Sequence, residues 1–176
     1  HGTGHIKAGL NYAMSLHAIV TAHQEGYDEN MYLDAATRTK VEETGGANFI
    51  FVTKDGTVVT PKSNSILPSI TRRSLMVVAE KYLGLKVEHR EVYFDEVKDF
   101  AECGLCGTAA VISPVINKKI WRKFHSESTS YLFLGISMKI QKLTNVYLKC
   151  ICNIKQQIQR NGSNDVRGFD GFQMLS

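Results

Sequence analysis

A chain of 176 residues with 43% apolar and 22% charged side chains can bury one sizeable core, so a single domain is the starting expectation. Its formal net charge of +4 is unevenly spread: residues 1–118 hold 12 Lys/Arg against 14 Asp/Glu, whereas residues 119–176 hold 9 against 3. The basic excess lacks aromatic interleaving, no apolar run reaches bilayer length and no signal segment opens the chain. These features argue against nucleic-acid binding and membrane insertion and favour a cytoplasmic protein.

The chain opens on His1, which suggests a piece of a longer protein. Ala13, Leu16, Ile19 and Val20 recur at helical spacing and stop before Gly26, giving a first helix. Met31-Tyr32-Leu33-Asp34 reads as a short strand, and residues 39–43 as another. Asn48-Phe49-Ile50-Phe51-Val52-Thr53 and Thr57-Val58-Val59-Thr60 flank an Asp55-Gly56 turn, a strong hairpin signal, with Pro61 expected to end the pairing.

Thr71 is placed to cap a helix running through Leu75, Val78 and Ala79 to about Leu83, with Gly84 beyond its end. Residues 86–94 alternate as a strand with Val87, His89, Glu91 and Tyr93 on one face, and Asp95 caps a short helix through Phe100. Gly107-Thr108-Ala109-Ala110 then turns into a buried strand. The pattern predicts a mixed α/β or α+β domain with much antiparallel character and no Rossmann unit. Beyond it, residues 121–149 are apolar enough to pack, with Tyr131-Leu132-Phe133-Leu134 as one block, and Asn161-Gly162-Ser163-Asn164-Asp165 onward reads as loop or disorder.

Cys103 and Cys106 form a C-x-x-C, and Cys150 and Cys152 a C-x-C. Four thiolates are a conceivable zinc set, but the second spacing is unusual and no histidine pattern supports it, so reduced, mostly buried thiols and no metal are expected.

Four short motifs carry chemistry, in a fixed order. Lys7 lies in Gly4-His5-Ile6-Lys7-Ala8-Gly9-Leu10-Asn11-Tyr12, where taken alone it is an exposed lysine between small residues. Glu43 lies in Glu42-Glu43-Thr44-Gly45-Gly46-Ala47-Asn48-Phe49, with Glu42 expected on the opposite side of a strand. Ile66-Leu67-Pro68-Ser69-Ile70-Thr71-Arg72 enters a helix, whose positive end suits a phosphate. Gly107-Thr108-Ala109-Ala110 completes the set.

Together these motifs resemble the branched-chain amino-acid aminotransferases, class IV pyridoxal-phosphate enzymes of fold type IV. The resemblance runs over residues 1–118 and implies that family's large domain, a pseudo-barrel of largely antiparallel strands with flanking helices, whose small N-terminal domain is not represented. It implies transamination of leucine, isoleucine and valine with 2-oxoglutarate and binding of pyridoxal 5'-phosphate. Lys7 would be the catalytic lysine, holding the cofactor as a Schiff base and moving the substrate proton. Tyr12 would hydrogen-bond the cofactor's phenolic oxygen, and Glu43 would keep its pyridine nitrogen protonated. Ile70, Thr71 and Thr108 would hold the phosphate; Thr108 and Ala109 would receive the substrate carboxylate.

Ser69 replaces the family's usual glycine, and Leu10 another glycine, where its side chain is expected to crowd the cofactor or the helix start. A cytoplasmic homodimer is implied. From residue 119 the resemblance stops, as a shifted or fused reading frame would produce, and low or no activity is expected of the fragment. D-amino-acid aminotransferases and aminodeoxychorismate-lyase-type enzymes share the lysine and carboxylate and are the same-fold alternatives; an inactive, non-enzymatic remnant is the alternative of another class.

Overall fold

A computed structural model of the chain describes residues 2–108, 111–119 and 131–137. Helix α1 (Gly9–Gln24) is followed by strands β1 (Glu29–Leu33), β2 (Val41–Thr44), β3 (Asn48–Val52) and β4 (Val58–Pro61). Helix α2 (Ile70–Leu83), strand β5 (Val87–Arg90) and a 3-10 turn (Phe94–Asp99) come next. Strands β6 (Glu102–Gly107), β7 (Val111–Pro114), β8 (Ile116–Lys119) and β9 (Tyr131–Ser137) complete the described elements.

The strands form one sheet of order β5-β4-β3-β2-β1-β9-β8, with β6 branching from β3 to β7. Among the described residues, pairing is antiparallel except between β4 and β5, where α2 supplies the long crossover that parallel strands need. The α+β, largely antiparallel architecture expected from the sequence is therefore present.

Strand β3 organises the core. Along one edge it pairs with β6 from Asn48 to Val52; along the other, Asn48 meets Glu43 of β2 while Phe51 and Val52 meet Val59 and Val58 of β4. Its side chains alternate between two apolar clusters, as the period of two requires. Phe49 and Phe51 pack with Met31, Val41, Val59 and Cys103, whereas Ile50 packs with Leu75 and Ala79 of α2 and with Cys106. Cys103 and Cys106 thus lie on opposite faces of β6. Three residues apart on a strand, they are ill-placed to share one ion, and burial raises both thiols, Cys106 to about 12. Cys150 and Cys152 lie outside the described residues.

Several local expectations need correction. Pro61 does not end the pairing: it is the last residue of β4 and stands opposite Arg90 of β5, where its missing N–H leaves the parallel ladder intact because the Lys62 N–H donates to the Arg90 carbonyl at 2.8 Å. The cap of α2 is Ser69, not Thr71. Ser69 is extended (φ −61°, ψ 127°) and its Oγ accepts the Arg72 N–H at 3.2 Å, so the helix begins at Ile70 and Thr71 is already inside it. Gly84 ends it in the left-handed region, φ 62°.

The strand expected over residues 86–94 is shorter, and the 3-10 turn starts at Phe94 rather than behind an Asp95 cap. Glu96 accepts the Tyr93 N–H at 2.7 Å and grips Arg90 through both carboxylate oxygens. Helix α1 is where expected, but its face is not: only Ala18 and Ala22 are buried, while Leu16 and Val20 are exposed. Of the segment beyond residue 119, the Tyr131–Leu134 block lies in β9, which pairs with β1; the expectations for residues 120–130 and 138–176 lie outside the described residues.

Candidate active site

A cavity of about 630 Å³ opens between the N-terminal segment, the end of β1, the β2–β3 turn and the loop of residues 63–67. The hairpin that forms its floor is fixed by Thr44. The Thr44 N–H and Oγ1 both donate to the Ala47 carbonyl, at 2.9 and 3.0 Å, and Thr44 Oγ1 accepts the Ala47 N–H at 2.9 Å. That turn sets Glu43 directly across from Asn48.

The Glu43 carboxylate enters the cavity wall from β2. Its Oε2 accepts Asn48 Nδ2 at 2.8 Å, and the Leu67 N–H donates across both oxygens at 3.3 and 3.4 Å. Burial is the largest influence on its acidity and pushes its pKa up to about 7; the Leu67 N–H and the Arg72 charge oppose this, and the neighbouring Glu42 charge adds to it. A carboxyl poised near neutrality can exchange a proton with a ring nitrogen.

Glu42 does not point away as the strand alternation predicts. It also lines the cavity, where Ser63 Oγ donates to its Oε1 at 2.5 Å. Near the start of the short strand β2, its carboxylate meets the Ser63 hydroxyl of the loop of residues 63–67.

Of the predicted site residues, Tyr12 and Glu43 both line this cavity. Lys7 is exposed and is not itself in the wall, but Ile6 and Asn11 on either side of it are. Ile70 and Thr71 open α2, where the first N–H groups have no acceptor within the helix, two residues beyond Leu67 of the wall. Thr108 is exposed and follows Gly107, at which a Cβ would lie 3.6 Å from the Gly46 carbonyl oxygen of the cavity floor. The pairing of Asn48 with Cys106 places that turn there. Ala109 lies outside the described residues. Leu10 does not crowd the site: it is 80% exposed on α1.

Sequence reasoning assigned no role to Asn48, to the Leu67 N–H or to Asn11. Asn48 stood inside the quoted Glu43 motif, but its task follows from cross-strand register, which no local pattern displays. It is 4% exposed, and its Oδ1 is buried without a hydrogen-bond partner among the described residues. A cavity of this size, a near-neutral half-buried carboxylate, a phenol in the wall and an unspent buried acceptor together fit a flat, polar heteroaromatic cofactor. Among the described residues no cluster of three or more His, Cys, Asp or Glu could hold a metal ion, and no helix is long and apolar enough to cross a membrane.

Comparison with known proteins bears on the same region. A family model described as amino-transferase class IV matches residues 6–117, and the chain belongs to that family of enzymes. It is 55% identical over 114 residues to a branched-chain-amino-acid aminotransferase of Helicobacter pylori, an alignment covering 65% of this chain and 34% of that protein. The solved branched-chain amino acid aminotransferase of Thermobaculum terrenum in its PLP form superposes with TM-score 0.59 at 40% identity, over 64% of this chain and 36% of that one. The enzyme of Thermoproteus uzoniensis with norvaline gives 0.67 at 28% identity, over 85% and 47%. The chain spans about a third of the length of the curated relatives it matches.

Proposed function

We propose that residues 1–118 are the cofactor-binding large domain of a transaminase that moves the amino group of leucine, isoleucine or valine to 2-oxoglutarate, using pyridoxal 5'-phosphate. The observation that carries this reading is Glu43, a carboxylate held by Asn48 and the Leu67 N–H in a cavity that Ile6, Asn11 and Tyr12, from the segment around Lys7, also line. Similarity to the aminotransferases named above supports it.

The cofactor, when bound, supplies a sink for the electron pair left on the substrate's α-carbon. Glu43 would face the ring nitrogen and favour its protonated form. Lys7 would supply the amine that holds the cofactor and the base that moves the substrate's α-proton. Tyr12 donates its hydroxyl toward the phenolic oxygen. The N–H groups of Ile70 and Thr71 and the Thr108 hydroxyl would hold the phosphate, and Thr108 with Ala109 would receive the substrate carboxylate.

In the cell the domain works within a cytoplasmic homodimer, alongside a small domain that closes the substrate pocket. A polypeptide of residues 1–176 by itself, with the reacting groups open to water, is expected to turn over slowly or not at all. The test is absorbance: the chain mixed with pyridoxal 5'-phosphate acquires a bound visible band that Lys7→Ala removes. An unchanged spectrum in the variant overturns the lysine assignment.

A further inference from the structure

The segment that carries Lys7 is not part of a helix or strand, yet it is tied at both ends by one side chain. Asn11, in the first turn of α1, donates through Nδ2 to the Thr3 carbonyl and to the Ile6 carbonyl, both at 2.9 Å. Its Oδ1 accepts the Thr3 hydroxyl at 2.7 Å. Within the loop the Ile6 N–H returns to the Thr3 carbonyl and the Ala8 N–H to the Ile6 carbonyl, each at 2.9 Å. Lys7 is thus the one residue between two fixed points, Ile6 and Ala8.

The clasp is joined to the carboxylate side. Gly4 sits so close to the loop of residues 63–67 that a Cβ there would overlap the Ser65 carbonyl. That loop also donates to both acids: Ser63 to Glu42, and the Leu67 N–H to Glu43. Asn11 and Ile6 themselves line the cavity.

We propose that Asn11 is the positioning residue for the lysine: by clamping residues 3–6 to the start of α1 it holds the Lys7 backbone at the edge of the cavity that Glu43 lines, within reach of a cofactor bound there. The inference rests on the reading of Lys7 as the cofactor-anchoring amine. An aspartate cannot replace it, since it would lose both donations and set a carboxylate against two carbonyl oxygens. A serine is too short to span Thr3 and Ile6.

The test is capture of pyridoxal 5'-phosphate by the full chain, trapped with borohydride and mapped to Lys7 by mass spectrometry. In capture, Nζ bonds to the aldehyde carbon and the two amine hydrogens leave with the aldehyde oxygen as water; borohydride then adds hydride to the new C=N bond. Asn11→Ala and Asn11→Asp are expected to slow labelling of Lys7 at least roughly tenfold, because a displaced nucleophile loses its near-attack geometry. Thr3→Val, which removes only the hydroxyl donation, slows it about threefold. Non-covalent binding of the cofactor, measured on a Lys7→Ala background, is expected to fall far less on adding Asn11→Ala than the labelling rate does, and exchange of the Ile6 and Ala8 amides is expected to speed up. Labelling rates equal to wild type in Asn11→Ala, or a parallel loss of non-covalent binding, overturn the positioning role. If wild type itself takes no label at Lys7, the lysine assignment fails first and this inference falls with it.

Discussion

The two walls of the cavity are built on different principles. The β2–β3 wall is an extension of the core: Thr44 and Asn48 are 3% and 4% exposed, and Phe49 and Phe51 pack immediately behind them. The N-terminal wall is a surface feature, with Leu10 and Met14 of its helix 80% and 83% exposed and a polar clasp in place of packing. Burial on the first side raises the pKa of Glu43 to about 7; on the second, Lys7 lies exposed on a loop. A site assembled this way can hold its carboxylate rigidly, while the segment proposed to carry the nucleophile is one that small local changes displace.

The comparison breaks most sharply if both walls respond alike to truncation. Phe51→Ala, which empties the space between the Phe49 and Phe100 rings, is expected to cost roughly 3–5 kcal/mol in urea unfolding, whereas Leu10→Ser stays within about 0.5 kcal/mol. Comparable losses would show that the N-terminal wall is packed after all.

The next effect is electrostatic and has a definite sign. The Glu43 carboxyl titrates near 4.5 when unfolded and about 7 when folded, so below 4.5 both states are protonated and the group is neutral toward stability. As pH rises through 4.5 to 7 the native state is forced to ionise a buried acid, and stability falls; above 7 the loss is complete. Glu43→Gln is therefore expected to melt higher than wild type at pH 8, by up to about 3 kcal/mol, with no difference at pH 4. On the proposed role of Glu43, the same change is expected to leave cofactor binding largely intact and to slow a single-turnover half-reaction severely, since a neutral amide would not keep the ring nitrogen protonated. A variant equally stable at both pH values would remove the claim that burial governs this wall.

A smaller effect separates the two possible caps of α2. Ser69→Ala costs about 1 kcal/mol, while Thr71→Ala changes stability by less than about 0.5 kcal/mol. The reverse order in thermal melts would restore Thr71 as the cap.

The sequence alone determined what depends on near neighbours. The Asp55-Gly56 turn specifies the β3–β4 hairpin, the spacing of Leu75, Val78 and Ala79 with Gly84 beyond specifies α2, and the ordered motifs at Lys7, Glu43, Thr71 and Thr108 specify the family. Strand β6, rich in glycine and cysteine, carried no such signal, and it is a strand because both its edges find partners in β3 and β7. The same holds for the face α1 presents, for Glu42 turning into the cavity, for Asn48 as the partner of Glu43 and for the titration of Glu43 near neutrality. Register, burial and the meeting of the Gly4 backbone with the Ser65 carbonyl join residues far apart along the chain, and only the folded structure brings them within the few ångströms over which hydrogen bonds and desolvation act.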